Sequence, residues 1–369
     1  MKKIAILVDQ LYQHGGIEKL VAVKANYWES QFNYDVSILS TENKNKPLIY
    51  HLNSKVKFLD LKINYNRLKS YFSFYNLVWL FLNCIKIQKY ILKEKPDFII
   101  VASHIPITYI LPFFIKGKTK IVKEFHFTKY FYEKKNKGLK LKTLNYIESK
   151  YSNIVVLSSE EKTFYKSSNV VVIPNPVFSK YKGKLMPLKH KELKASTVLR
   201  FAPVKRLELL VLIWQKFSAL NPNWKLFIYG PINNSYAKEI INLVTSKKLN
   251  DCIIFKGETT DVLEELSNSR LVLMTSEQEC FPMLILEAQS VGVPVMAFNC
   301  PTGPRNIINN FKDGILVENN NIDQYVNSLV EFCDNESIQI ETAKNALINA
   351  AKFELDFIMD LWNTKIFKN

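Results

Sequence analysis

The 369-residue chain has five cysteines, at 84, 252, 280, 300 and 333, and none pairs as CxxC or falls at a metal-ligand spacing. That pattern excludes a disulfide scaffold and a zinc ribbon, and the cysteines read as small buried apolar residues of a reducing compartment. No uninterrupted apolar run of about 18 residues occurs, so no segment reads as a spanning helix. No signal-peptide pattern precedes the first strand-like run, KKIAILVD. GxGxxG is missing, which counts against a dinucleotide cofactor. Zinc-finger spacing, an RNP-like segment and a helix-turn-helix pattern are missing too, so no motif supports nucleic-acid binding. There is no internal repeat and no low-complexity tract.

What is present is a core and an uneven charge. Hydrophobic residues make up 47% of the chain, too many for a disordered polymer. The length suggests two domains of ordinary size. Residues 1–185 carry 31 Lys+Arg against 13 Asp+Glu, while residues 186–369 carry 19 against 21. The first half is therefore strongly basic, and a polyanionic partner is expected there. Within it, residues 64–95 read as one long helix with basic ends and many Tyr, Phe and Trp, a composition that settles at lipid headgroups. Asn76, Asn83 and Lys86 make it too polar to span. A second basic patch follows at 133–142. An anionic membrane surface is favoured over nucleic acid as the partner.

Strand-like apolar runs alternate with helical patterns twice over. In the first half they are KIAILVD, YDVSILS, KVKFLDL, DFIIVAS, KIVKEFH, NIVVLSS and VVVIP. In the second they are TVLRFA, KLFIYG, CIIFKG, RLVLMTS, PVMAFN and GILV. Near-continuous apolar strands separated by helices mean parallel sheets covered on both faces. The expected fold is α/β, two doubly wound Rossmann-like domains facing a cleft. The expected division is a first domain at 1–178, a Lys- and Pro-rich linker at 179–196, a second domain at 197–353, and a terminal helix at 354–369.

The most informative stretch is TSEQECFPMLILEAQSVGVPVMAFNCPTGP. Glu279 falls on a loop leaving the carboxyl end of a strand, where open α/β sheets bind ligands. Glu287 falls one turn inside the next helix. The first N–H groups of that helix, near Phe281, Pro282, Met283 and Leu284, have no partners within it and can hold a phosphate. Two further features are Gly15-Gly16, opening a helix after the first strand, and Arg200 with Lys205, five positions apart after the first strand of the second half. Glycine lets a backbone approach a phosphate or sugar closely.

The Glu279/Glu287 pair, with Phe-Pro-Met after the first Glu, the Leu-Glu-Ala core, Gly-x-Pro-Val and CPTGP, resembles the family-4 glycosyltransferases. These are retaining, nucleotide-sugar-dependent enzymes of GT-B architecture. The resemblance is strong over about 197–320 and weaker before it. It implies that Glu279 holds hydroxyls of the transferred sugar, Glu287 the ribose hydroxyls, and Arg200 with Lys205 the diphosphate, Leu199 standing where the family usually has Gly. It implies that Gly15-Gly16 lies beside the donor diphosphate and the acceptor, and that His126, ending KIVKEFH, contacts the transferred sugar. It also implies that the terminal helix crosses back to the first domain. His14 and His104 fall near strand ends, and His51 and His190 have no context. No Asp-x-Asp occurs, so a metal-independent enzyme without a cofactor is expected, its donor a nucleotide sugar expected to be UDP-linked.

The sequence thus leads to a retaining transferase moving a hexose or N-acetylhexosamine to a glycan or lipid-linked glycan of a bacterial surface polysaccharide, such as a capsule or lipopolysaccharide. It would be cytoplasmic, peripheral on the inner face of the membrane. The alternatives are a transferase with a small soluble acceptor and a non-catalytic nucleotide-sugar or polyanion-binding module. A related sugar-nucleotide epimerase ranks below both.

Overall fold

The apolar runs become the strands of two parallel sheets. The computed structural model describes every residue except 72, 116, 136–137, 178–184, 186 and 369. One sheet contains β1 (Lys3–Val8), β2 (Asp35–Ser40), β3 (Lys57–Asp60), β4 (Phe98–Val101), β5 (Lys120–Glu124), β6 (Asn153–Val156) and β7 (Val170–Val172). Its order is β3-β2-β1-β4-β5-β6-β7. The other contains β8 (Lys194–Val198), β9 (Lys225–Tyr229), β10 (Ile253–Gly257), β11 (Leu271–Met274), β12 (Val295–Phe298) and β13 (Gly314–Val317), in the order β10-β9-β8-β11-β12-β13. Neighbouring strands run parallel throughout. Strands β4 (FIIV), β11 (LVLM) and β12 (VMAF) are buried at every position, as strands covered on both faces must be.

The strand order reverses between β1 and β4 in one sheet and between β8 and β11 in the other. At such a reversal the two adjoining crossovers lie on opposite faces, so the strand-end loops part and leave a crevice for a ligand.

The chain divides into two compact units. The first is Met1–Pro174 with the chain from Asp356 onward, and the second is Asn175–Leu355. The expected boundary at 178 therefore moves to 174. The cause is visible in one bond, because the Val177 N–H donates to the Phe353 carbonyl at 2.7 Å within the second unit. The expected linker 179–196 lies partly outside the described residues. Its end is not a linker, since β8 starts at Lys194. Lys191 and Lys194 are buried, their ammonium groups donating to the Ser269 carbonyl at 3.1 Å and the Tyr229 hydroxyl at 3.1 Å. Lysine stems can pack while the tip finds a partner, which a count of lysines does not reveal.

The segment 64–95 is also shorter as a helix than its composition suggests. The helix is Phe74–Glu94, N-capped by the Ser73 side chain. Before it, the Asn66 N–H donates to the Asn76 side chain at 2.8 Å and holds the chain in a loop. Asn76 and Asn83 do not interrupt an outer face. They are fully buried with Leu80, Ile87 and Ile91 on the face turned to the first core. The exposed face instead carries Phe74, Leu77, Val78, Phe81 and Leu92. No helix among the described residues is long and apolar enough to cross a membrane.

The last helix, Leu355–Trp362, buries Ile358, Met359 and Trp362. Its Trp362 ring lies 5.5 Å from that of Trp28, and Phe367 packs edge-on against Trp28 at 5.0 Å and Phe98 at 5.1 Å.

Candidate functional site

In the second unit a cavity of about 230 Å³ opens at the β8/β11 reversal. Its walls are Thr197 to Leu199 from the end of β8, Met274 to Ser276 from the end of β11, Lys205, Glu279, and Pro282, Met283, Leu284 and Glu287 from the following helix.

Hydrogen bonds between the two loops fix their shape. After β8 the chain makes a short turn, Pro203–Lys205, and the Lys205 N–H donates to the Ala202 carbonyl at 2.8 Å. Arg206 follows at φ 50, ψ 49. A left-handed conformation costs a non-glycine residue about 1–2 kcal/mol and persists only where neighbours impose it. Here the neighbours are explicit. The Thr275 hydroxyl reaches the carbonyls of Lys205 and Arg206, both at 3.0 Å, the Glu277 N–H donates to the Val204 carbonyl at 2.8 Å, and Arg206 pairs with Glu277 at 2.8 Å. The result delivers Lys205 to Glu279, Nζ to Oε1 at 2.5 Å.

Leu199, noted as a departure from the glycine usual in the resembled family, is not in the left-handed region, so its side chain introduces no strain there. The glycine this turn requires is Gly230, at φ +147, where a Cβ would lie 1.9 Å from the Leu199 carbonyl oxygen.

Glu279 is held from its other side by the loop after β12. The Thr302 N–H donates to the Glu279 carbonyl at 2.8 Å, and the Glu279 N–H to the Pro301 carbonyl at 3.3 Å. Gly303 sits so close that a Cβ there would meet the Glu279 Cβ at 2.6 Å and the Pro282 Cδ at 2.8 Å. The helix Met283–Ser290 begins at Pro282 without any side-chain cap, and its N-terminus and Glu287 line the same cavity. Cys300 is buried beside this group. Burial, then the Glu279 charge, push its thiol up to about 12.

Two expected donor-site residues stand differently. Arg200 is exposed and is not part of the cavity wall. The Phe281 ring is buried against Phe353, centroids 5.7 Å apart, so its side chain serves packing.

In the first unit, Gly15 is the N-cap of the helix Gly16–Ser30. A Cβ at Gly15 would strike the Glu18 carboxylate, which accepts from the Gln10 amide at 2.7 Å and whose pKa is raised by burial. A Cβ at Gly16 would meet nothing within 4 Å, so packing does not demand glycine there. His126 lies two residues past β5, its side chain buried, with Nε2 3.6 Å from Glu124 Oε1. His104 bonds the Tyr109 hydroxyl at 2.8 Å and is pushed down to about 4 by burial and then Lys123. His14 packs edge-on against Tyr50, and His190 ends an exposed turn.

Sequence reasoning passed over Arg206, Thr275 and the buried pair Lys24–Glu124. The last left a signal: one lysine inside the apolar run LVAVKANYW, and Lys-Glu ending the otherwise apolar KIVKE. Among the described residues no group of three His, Cys, Asp or Glu is placed to hold a metal ion.

Comparison with known proteins agrees with this arrangement. An uncharacterized glycosyltransferase of Haemophilus influenzae is 24% identical over 98% of this chain and 99% of its own length. The amylovoran biosynthesis glycosyltransferase AmsD of Erwinia amylovora is 24% identical over 98% of this chain and 99% of its own. A mutant of S. aureus TarM, solved with Fondaparinux, alpha-GlcNAc-glycerol and UDP, superposes with a TM-score of 0.76 at 17% identity over 99% of both chains. The fold is thus the two-unit GT-B fold, and residues 185–353 match the family described as glycosyl transferases group 1. Over that region, somewhat under half of its length, the chain is similar to the group 1 glycosyltransferases.

Proposed function

We propose that the chain transfers a hexose or N-acetylhexosamine from a UDP-sugar to a glycan of a bacterial surface polysaccharide or its lipid-linked precursor, with retention of configuration. The observation that carries the donor half is the gathering of Lys205, Glu279, Glu287 and an uncapped helix N-terminus around one cavity at the strand-order reversal. The leaving group is a nucleoside diphosphate, whose negative charge grows as the glycosidic bond breaks. A fixed ammonium and free N–H dipoles are what such a transition state needs. Lys205 is paired with Glu279. A bound diphosphate would draw Lys205 to itself and release the Glu279 carboxylate to accept sugar hydroxyls. Glu287 would accept from the ribose, and Arg200, exposed and outside the wall, would swing in to complete the diphosphate clamp without a metal ion. Gly15-Gly16 and His126 would serve the transferred sugar and the acceptor.

The acceptor half rests on the first unit. Its excess of lysine and the exposed Phe74, Leu77, Val78, Phe81 and Leu92 suit an anionic membrane face, where a lipid-linked acceptor is presented. AmsD, which matches 98% of the chain, is named for amylovoran biosynthesis and supports the glycan class.

The test of the donor reading is thermal shift with UDP, GDP and ADP and their sugars, EDTA present. A shift specific to UDP compounds and lost in Glu287→Ala supports it, because a ligand of the native state raises the melting temperature by mass action. No shift with any nucleotide in folded protein would reject it. Co-sedimentation with phosphatidylglycerol vesicles, weakened in Phe81→Asp, tests the membrane face.

A further inference from the structure

A lysine and a glutamate lie deep under the first sheet's carboxyl end. Lys24 is fully buried in the helix Gly16–Ser30, and Glu124, the last residue of β5, is 2% exposed. Their side chains are directly hydrogen bonded. The Lys24 ammonium also lies 4.6 Å over the Trp362 ring and 5.7 Å from that of Trp28. Burial alone would raise the Glu124 pKa, but the charges of Lys24 and then His126 outweigh it and hold the carboxyl at about 2. The group is a carboxylate at every physiological pH.

Replacing such a pair by apolar residues often leaves stability unchanged or improved, so its presence is poorly explained by folding. The lysine engages one carboxylate oxygen. The other, Oε1, faces His126 Nε2 at 3.6 Å. That ring nitrogen is buried and has no hydrogen-bond partner. A buried nitrogen left so costs about 1–3 kcal/mol, and such exceptions in a native structure call for a reason. The separation is too long for a hydrogen bond, yet a small ring movement closes it, and functional hydrogen bonds commonly tighten only when a ligand arrives.

We propose that Glu124 is a positioning residue for His126. Held ionised by Lys24, the carboxylate draws the proton of the neutral imidazole to Nε2 and fixes the ring's orientation, leaving Nδ1 as a bare acceptor. Which nitrogen of a histidine carries the proton is set by the partner of the other, and a carboxylate is the strongest such partner. The part this plays in transfer rests on the reading of His126 as a sugar-contacting residue.

The test uses the double variant Lys24→Met with Glu124→Leu, which removes both charges together and leaves neither stranded. Protein labelled with ¹⁵N-histidine is observed at about pH 8, above the ordinary histidine range. The wild type should show His126 as the single Nε2–H tautomer, and the double variant a mixture. UDP release from UDP-glucose and UDP-N-acetylglucosamine should fall on the order of 10²-fold, the scale of a 1 Å misplacement, with melting little changed. An unchanged tautomer in the double variant, or an Nδ1–H tautomer in the wild type, overturns the proposal. A changed tautomer with unchanged UDP release upholds the positioning and removes His126 from the transfer. Isolated Glu124→Leu, which strands Lys24, should melt well below the double variant, and equal melting of the two would show that Glu124 does not hold the lysine's charge.

Discussion

Replacing Gly303 by alanine adds one methyl group at the point where two loops of the proposed donor cavity touch. Backbone geometry permits it, because Gly303 has φ −73 and ψ −67, ordinary for any residue. Space does not, since the new Cβ would lie 2.6 Å from the Glu279 Cβ and 2.8 Å from the Pro282 Cδ. Carbon atoms rest about 3.5–4.0 Å apart, so Glu279 and the start of its helix must retreat by about 1 Å. Overpacking of this kind costs about 1–3 kcal/mol, partly offset by the about 0.4–1 kcal/mol gained from a stiffer unfolded chain. Stability should fall by at most about 2.5 kcal/mol, leaving the protein folded. Placement of Glu279 suffers more, and a 1 Å error can cost about 10²-fold in rate. The assay is UDP release from the UDP-sugar that gives the largest thermal shift, with UDP affinity by calorimetry beside it. Turnover should drop about a hundredfold, and UDP affinity should weaken with it, because the start of the helix proposed to hold the diphosphate shifts together with Glu279. Wild-type turnover in Gly303→Ala would refute the view that this contact sets Glu279.

Three further outcomes are expected. Trp362→Ala removes a fully packed indole from the first unit and should cost about 3–5 kcal/mol in urea unfolding; a loss below 1 kcal/mol would contradict that packing. Lys123 is buried with its ammonium on the Ser103 carbonyl at 2.6 Å, and burial pushes its pKa down to about 7 from 10.5. Between those values the unfolded chain holds a proton that the native chain lacks, so stability from this group rises with pH and is lost again as pH falls through about 7. Lys123→Met should flatten the change in urea midpoint between about pH 7 and pH 9, and an identical slope in both proteins would rule out the burial effect. Cys300, pushed up to about 12, should resist iodoacetamide at about pH 8 in the native protein and react on denaturation; rapid native labelling would contradict its burial beside Glu279.

Among the described residues twelve of the thirteen strands were legible as short apolar runs bounded by polar residues, a strong signal in parallel sheets; β8, expected at 197–202, lies at Lys194–Val198, because its first residues, Lys-Ala-Ser, read as linker. The Glu279 loop was legible because strand, loop and helix are contiguous in the chain. What escaped was what depends on distant residues meeting. The stems of Lys191 and Lys194 look solvated until Ser269 and Tyr229 are seen to receive them. Asn76 looks like a break in an apolar helix until it is found bonding the carbonyls of Asn66 and Ser70 at 3.0 and 2.9 Å. Arg206 looks like one more surface cation until Thr275 holds its carbonyl. Lys24 and Glu124 are one hundred positions apart, and no local pattern joins them.

The return of residues 356–368 to the first unit has a consequence during synthesis. Trp28, Phe98 and Tyr34 emerge from the ribosome early, yet the rings that cover them, Trp362 and Phe367, are made some 260 residues or more later. The second unit, continuous from Asn175 to Leu355, can complete its core while the first still waits for its closing segment. Of the two, the unit translated first is the last to be finished, and Trp28 beside Lys24 remains uncovered until Trp362 and Phe367 have been made.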